Sequence, residues 1–191
     1  MTYVELIVVL SIFSVMTSIV LFNYNGFQAK VDIKVLANEI ALKIVEAQKS
    51  AIGGKLPISL PTVSPWRPSY GLYFDSSSSN NKDFVYFTDL DQSGDYSDAS
   101  FCSFPGTGEC LDKPHITKNN YISKLDSYLG STPTPITTPL SITFTRPGSD
   151  AIFKSNGLKL TGFNYIQITI TSPSSITARV KIYPSGRIQI N

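Results

Sequence analysis

Residues 6–22 are an apolar run interrupted only by serine and threonine, and Glu5 is the one charged side chain in residues 1–22. Wound as a helix at ~1.5 Å per residue, residues 1–22 reach about 33 Å, enough to cross a hydrocarbon layer of ~30 Å. The apolar positions then thin out but stay periodic. Ile33, Leu36, Ile40, Ile44, Ala47 and Ala51 lie on one line, with Lys34, Glu39, Lys43, Glu46 and Lys49 off it. Steps of three and four residues with this separation of charge describe an amphipathic helix. Gly53-Gly54 supplies a stop, and no proline precedes Pro57. The pattern predicts one helix of about 50 residues, some 75–80 Å long, whose second half buries its stripe against a domain. Asn25-Gly26 is its weak point. Glycine costs ~1 kcal/mol in a helix, so a bend or a locally melted turn is expected there.

A Pro- and Ser-rich connection at 55–69 holds the single tryptophan, Trp66, and reads as a loop covering the helix end. After it the period falls to two. Strands are expected at 70–74, 84–88, 140–145, 165–171, 176–183 and 187–190, the last two flanking the turn residues Pro184-Ser185-Gly186. Such alternation fits antiparallel strands with one buried face. The Thr/Pro-rich stretch at 131–139 reads as an extended, exposed connection. The expected class is α+β, a long N-terminal α-helix packed on a C-terminal antiparallel β-sheet domain. The expected parts are an apolar half-helix at 1–26, for a membrane span or a filament core; an amphipathic half-helix at 27–53; and a β-rich globular domain at 54–191.

Composition narrows the partners. Of 191 residues 42% are hydrophobic and 16% charged, the net charge is +2, and no block of basic residues occurs. That argues against nucleic acid as the main partner, because phosphate binding needs clustered Lys and Arg. Cys102 and Cys110 enclose Pro-Gly and a second Gly, which suits a tight closed loop, and the chain has only one histidine to offer a metal. A local disulfide is expected, with two reduced buried thiols as the alternative; oxidation would place the domain outside the cytoplasm.

The richest polar stretch is 89–98. Asp89, Asp91, Ser93 and Gly94 stand at positions one, three, five and six of an EF-hand-like loop. Position twelve is Ser100 rather than glutamate, and Asp95 or Asp98 would fill the gap. Calcium is therefore expected at Asp89, Asp91, Ser93, Asp95 and Asp98; the alternative is a solvated acidic turn. No enzyme activity and no catalytic residue are expected. His115 follows Pro114 with no nucleophile beside it, Gly53-Gly54 lacks the Lys-Ser/Thr of a phosphate loop, and the serine run at 76–79 is a loop.

Glu5 needs an explanation of its own. An unpaired carboxylate within an apolar span costs ~2.5–3.5 kcal/mol, so it either snorkels to headgroup water or meets a partner. Met1-Thr2-Tyr3-Val4-Glu5-Leu6 and the apolar run after it resemble the mature N-terminus of type IV pilins and type II secretion pseudopilins, usually Phe-Thr-Leu-Ile-Glu-Leu. Thr2, Glu5 and Leu6 match by identity and Val4 in kind; Met1 replaces the common Phe, Tyr3 the common Leu, and Ser14 stands where Gly is common. The resemblance implies a pilin-like fold and a Met1 exposed by prepilin peptidase and N-methylated. It also implies that Glu5 meets the α-amino group of the next subunit, where a low dielectric strengthens the attraction and the pairing fixes axial register.

The expected function is accordingly a structural subunit that polymerises with copies of itself into a type IV pilus for adhesion, motility or DNA uptake. Its other expected partners are prepilin peptidase, the inner-membrane assembly machinery and membrane lipid, as it passes from the cytoplasmic membrane to the cell surface. The closing hairpin resembles minor pseudopilins of the H type. A secretion pseudopilin and a monomeric membrane-anchored calcium-binding domain are the alternatives. No cofactor is required, and calcium is the one that could be present.

Overall fold

The computed structural model describes residues 2–97 and 101–191, with the backbone alone at 20–23 and 25. Helix α1 spans Tyr3–Ile52. It stops at the glycine pair: the Gly53 N–H donates to the Lys49 carbonyl at 2.8 Å, and Gly54 takes φ +67°. A left-handed residue just past the last turn is how many helices end, and glycine alone adopts it without a steric cost. The helix runs through Gly26 without a break, so the expected melted turn does not form. A cost of ~1 kcal/mol at one position is small against the cooperativity of a helix extended on both sides.

The strands follow as β1 (Ser69–Phe74), β2 (Phe84–Thr88), β3 (Cys110–Asp112), β4 (Tyr121–Leu129), β5 (Thr132–Pro135) and β6 (Leu140–Thr145). They continue as β7 (Ala151–Ser155), β8 (Leu158–Lys159), β9 (Tyr165–Thr171), β10 (Thr177–Ile182) and β11 (Ile188–Ile190). One sheet has the order β3-β2-β1-β6-β7-β8 and the other β11-β10-β9-β4-β5, and every pairing is antiparallel.

This corrects the expected α+β, pilin-like class of a long helix packed on one antiparallel sheet. The chain is mostly β: its eleven strands hold more residues than the helix and divide between two sheets. The packed part of α1 is its second, amphipathic half, where the stripe was expected to be buried. Among the described residues its buried apolar side chains run from Ile33 to Ala51, through Leu36, Ala37, Ile40, Ala41, Ile44 and Ala47. This stretch touches β1 and β6 of the first sheet and β9, β10 and β11 of the second. Tyr70, Leu72, Phe74, Ile142 and Phe144 from one sheet and Ile168, Ile170, Val180 and Ile182 from the other join it in one continuous core.

The expected membrane span is also corrected. Among the described residues no helix is long and apolar enough to cross a membrane. The side chains at 20–22, on which the sequence-based length relied, lie outside the described residues.

Strand β2 departs from the one-buried-face pattern, because all five of its residues are buried. Tyr86 and Phe84 face the main core, while Val85 and Phe87 enter a second, smaller cluster with Tyr96, Cys102 and Cys110. The disulfide loop thus roofs the outer face of the first sheet. Trp66, in the connection after α1, packs partly buried on the main core and donates from Nε1 to the Asp89 carbonyl at 2.8 Å.

Ile40 is fully buried and Leu42 is 67% exposed on the same helix. We expect Ile40→Ala to lower unfolding free energy by about 2–5 kcal/mol through lost burial and the cavity left behind. Leu42→Ala should stay within about 0.5 kcal/mol. Chemical denaturation of the full chain measures both, and equal effects would contradict the packing described.

Candidate functional site

Two regions concentrate features that the fold itself does not require. The first is the N-terminal half of α1. Residues 2–19 are exposed throughout, with Tyr3, Val4, Leu6, Ile7, Val9, Phe13 and Met16 pointing in every direction around the axis. A helix that is apolar all round belongs inside an assembly or in hydrocarbon rather than in water. Two of its hydroxyls are tied back onto its own backbone: Ser11 Oγ donates to the Val8 carbonyl and Thr17 Oγ1 to the Phe13 carbonyl, both at 2.8 Å. Such back-bonding consumes hydroxyl donors that would otherwise seek water.

Glu5 has a partner within its own chain, which the sequence reading missed. Thr2 is the N-cap; its Oγ1 accepts from the Glu5 N–H at 3.4 Å, while Glu5 Oε2 accepts from the Thr2 N–H at 2.7 Å. This reciprocal capping box was legible in the spacing Thr-x-x-Glu ahead of an apolar run. An acid in the first turn also complements the positive end of the helix. Met1, the other residue expected to act in assembly, lies outside the described residues.

The second region is the turn after β2. Asp89 is buried at 2% exposure. Its Oδ2 accepts from Ser69 Oγ at 3.2 Å and from the Gly94 N–H at 3.0 Å, whereas its Oδ1 is buried with no hydrogen-bond partner. Asp91 is exposed and accepts from the Ser93 N–H at 2.8 Å. Ser93 and Asp95, also in the expected calcium set, are engaged in other hydrogen bonds. Ser93 Oγ donates to the Asp95 carbonyl at 2.9 Å. Asp95 turns away, its carboxylate accepting from Ser141 Oγ, from the Tyr96 N–H and, at 2.6 Å, from the Gly157 N–H. Asp98 lies outside the described residues.

The third carboxylate at this turn comes from elsewhere. One oxygen each of Asp89, Asp91 and Glu109 lie within 4.8 Å of one another. Glu109 is held over the turn by the Leu90 N–H at 3.1 Å and by the Ser97 N–H and Oγ at 3.2 and 2.8 Å. Its own carbonyl accepts from the Thr88 N–H at 2.8 Å. Burial pushes the Asp89 carboxyl up to about 7, and the neighbouring Asp91 adds to the rise. Burial acts to raise Asp91 too, but the bonds from Ser93 lead the influences that outweigh it and leave Asp91 below its ordinary value.

Cys102 and Cys110 form a disulfide with Cα atoms 5.7 Å apart, as expected. Because Glu109 adjoins Cys110, the bridge anchors the third carboxylate. His115 is exposed and pairs with Asp83, Nδ1 to Oδ1 at 2.7 Å. Reducing the disulfide releases a loop closed over eight residues of separation, which on chain entropy is worth about 2.5 kcal/mol. We expect urea denaturation with reductant to show a loss of that size, and alkylation to add two labels only after reduction.

No family model matches this chain, and no curated protein or solved structure matches it.

Proposed function

We propose that the chain is a filament subunit of the type IV pilin kind, which polymerises through the N-terminal half of α1. One observation supports this above the others: residues 2–19 are exposed and apolar on all sides, while the second half of the same helix is buried in the β domain. Apolar surface in water costs roughly 25 cal/mol per Å², and a patch this extensive marks an interaction surface. Neighbouring copies of the same half-helix, side by side in a bundle, would cover it and leave the β domains outside. Before assembly lipid would do so, and afterwards the filament core, with the domain at the cell surface. Serving a type IV pilus and serving a secretion pseudopilus call on this same packing.

In this reading Glu5 has two roles in sequence. It caps its own helix in the lone subunit, and it meets a positive group of the next subunit in the bundle, where the low dielectric strengthens the pair. The roles separate by mutation. Thr2→Ala removes half of the capping box and should cost about 1 kcal/mol of helix stability with filaments retained. Glu5→Ala should abolish filaments while the β domain stays folded. Negative-stain imaging of purified full-length chain after detergent removal reads the outcome. Thin filaments from the wild type and from Thr2→Ala, and none from Glu5→Ala, are expected. Monodisperse wild-type particles under all conditions would sink the proposal, and equal loss in both variants would reduce Glu5 to a cap.

A further inference from the structure

We infer that Asp89, Asp91 and Glu109 together hold a calcium ion, which ties the turn after β2 to the disulfide loop. Three acids near one another are not in themselves a site. The further observation is Asp89 Oδ1, an oxygen buried with no donor in a residue that is 2% exposed. The other oxygen of that carboxylate is turned to Ser69 and Gly94. A buried carboxylate oxygen without a partner forfeits its hydration and gains nothing in return. Among the described residues, no Lys, Arg or His forms an ion pair with Asp89, Asp91 or Glu109. Lys154 Nζ, which reaches this turn, donates instead to the Ser93 carbonyl. A metal ion is the positive charge that the arrangement lacks.

The ligand chemistry narrows the choice of ion. The three oxygens lie within 4.8 Å of one another. All the side-chain ligands are hard carboxylates, which suits calcium or magnesium and not a thiophilic metal. Three carboxylates leave several positions of a six- to eight-coordinate ion for water on the exposed Asp91 side.

The ligands also come prearranged. Asp89 sits at the end of β2 and donates from its N–H to the Ser69 carbonyl at 3.0 Å, which fixes it to the first sheet. Glu109 is fixed across from it by its main-chain bond to Thr88 and by the adjoining disulfide. The ion would thus bridge two segments about twenty residues apart in sequence, rather than fill the single loop at 89–98.

The test uses the full chain in detergent, stripped with chelator and titrated with calcium chloride alone, by calorimetry and by thermal melting. Wild type should bind one equivalent and gain several degrees in Tm, with a weaker response to magnesium. Asp91→Asn, at an exposed position that leaves the fold intact, and Glu109→Gln should each weaken binding about tenfold or more. Asp95→Asn, whose carboxylate serves Ser141 and Gly157, should keep wild-type affinity. Circular dichroism shows whether each variant is folded. Absence of heat and of a Tm shift at millimolar calcium would overturn the inference. So would a Glu109→Gln variant that binds as wild type while Asp95→Asn does not, since the ion would then belong to the 89–98 loop alone. Filament formation is a separate readout, so either proposal can fail without the other.

Discussion

The apolar stripe from Ile33 to Ala51 is the contact on which the rest of the molecule depends. Each sheet taken alone has an apolar face that must be covered, and α1 lies against both. Ile40, Ile44, Ala47 and Ala51 have no exposed surface at all. Alanine at four of the buried positions, 37, 41, 47 and 51, lets strands approach the helix closely, which larger side chains would prevent. This burial fixes one half of α1 in the domain, and the other half therefore projects from it without cover.

A second, smaller core sits on the far side of the first sheet. Val85 and Phe87 would face water were it not for Tyr96 and the disulfide loop over them. Tyr96 lies 5.3 Å from Phe87 and 5.2 Å from Tyr73, ring to ring. The roof is too small to be held by apolar burial alone, and covalent closure compensates for this, as in many small extracellular folds. Its acidic margin is where polar chemistry collects, because the turn after β2 and the residue before Cys110 bring three carboxylates together there.

Some of this was legible in the sequence. Strands β1, β6, β9 and β10 show clean alternation, Gly53-Gly54 marks the helix end, and the Cys-to-Cys spacing suits its loop. What escaped notice has identifiable causes. The alternation of β4 is broken by a bulge between Ile122 and Lys124, which shifts the inward-facing phase midway. Strand β7 turns Ala151, Phe153 and Ser155 inward, and two of these are too small or polar to read as core. Strand β5 contains two prolines, residues that normally signal a loop. With β4 and β5 hidden, the second sheet loses two of its five strands, and with β7 hidden the first loses one, which favours a one-sheet reading. At the acidic turn, Asp89 and Asp91 were legible as a local motif, but Glu109 reaches them only through pairing of β3 with β2, and no local spacing encodes that. The capping box was legible and overlooked, because the apolar run drew the reading of Glu5 toward a partner outside the chain.

The prolines of β5 have a consequence for how copies of this chain can meet. The Ile136 N–H points inward to the Leu125 carbonyl, and strand backbones alternate direction with a period of two. Pro133 and Pro135 therefore occupy the outward-facing positions, where each lacks the N–H that a further strand would need. The free edge of the second sheet offers acceptors but no donors. The opposite edge β11 is three residues long, and the first sheet ends in β3 with three and β8 with two. Sheet-to-sheet zipping is thereby closed off even when many domains are crowded together, so ordered association is left to side chains rather than to backbone.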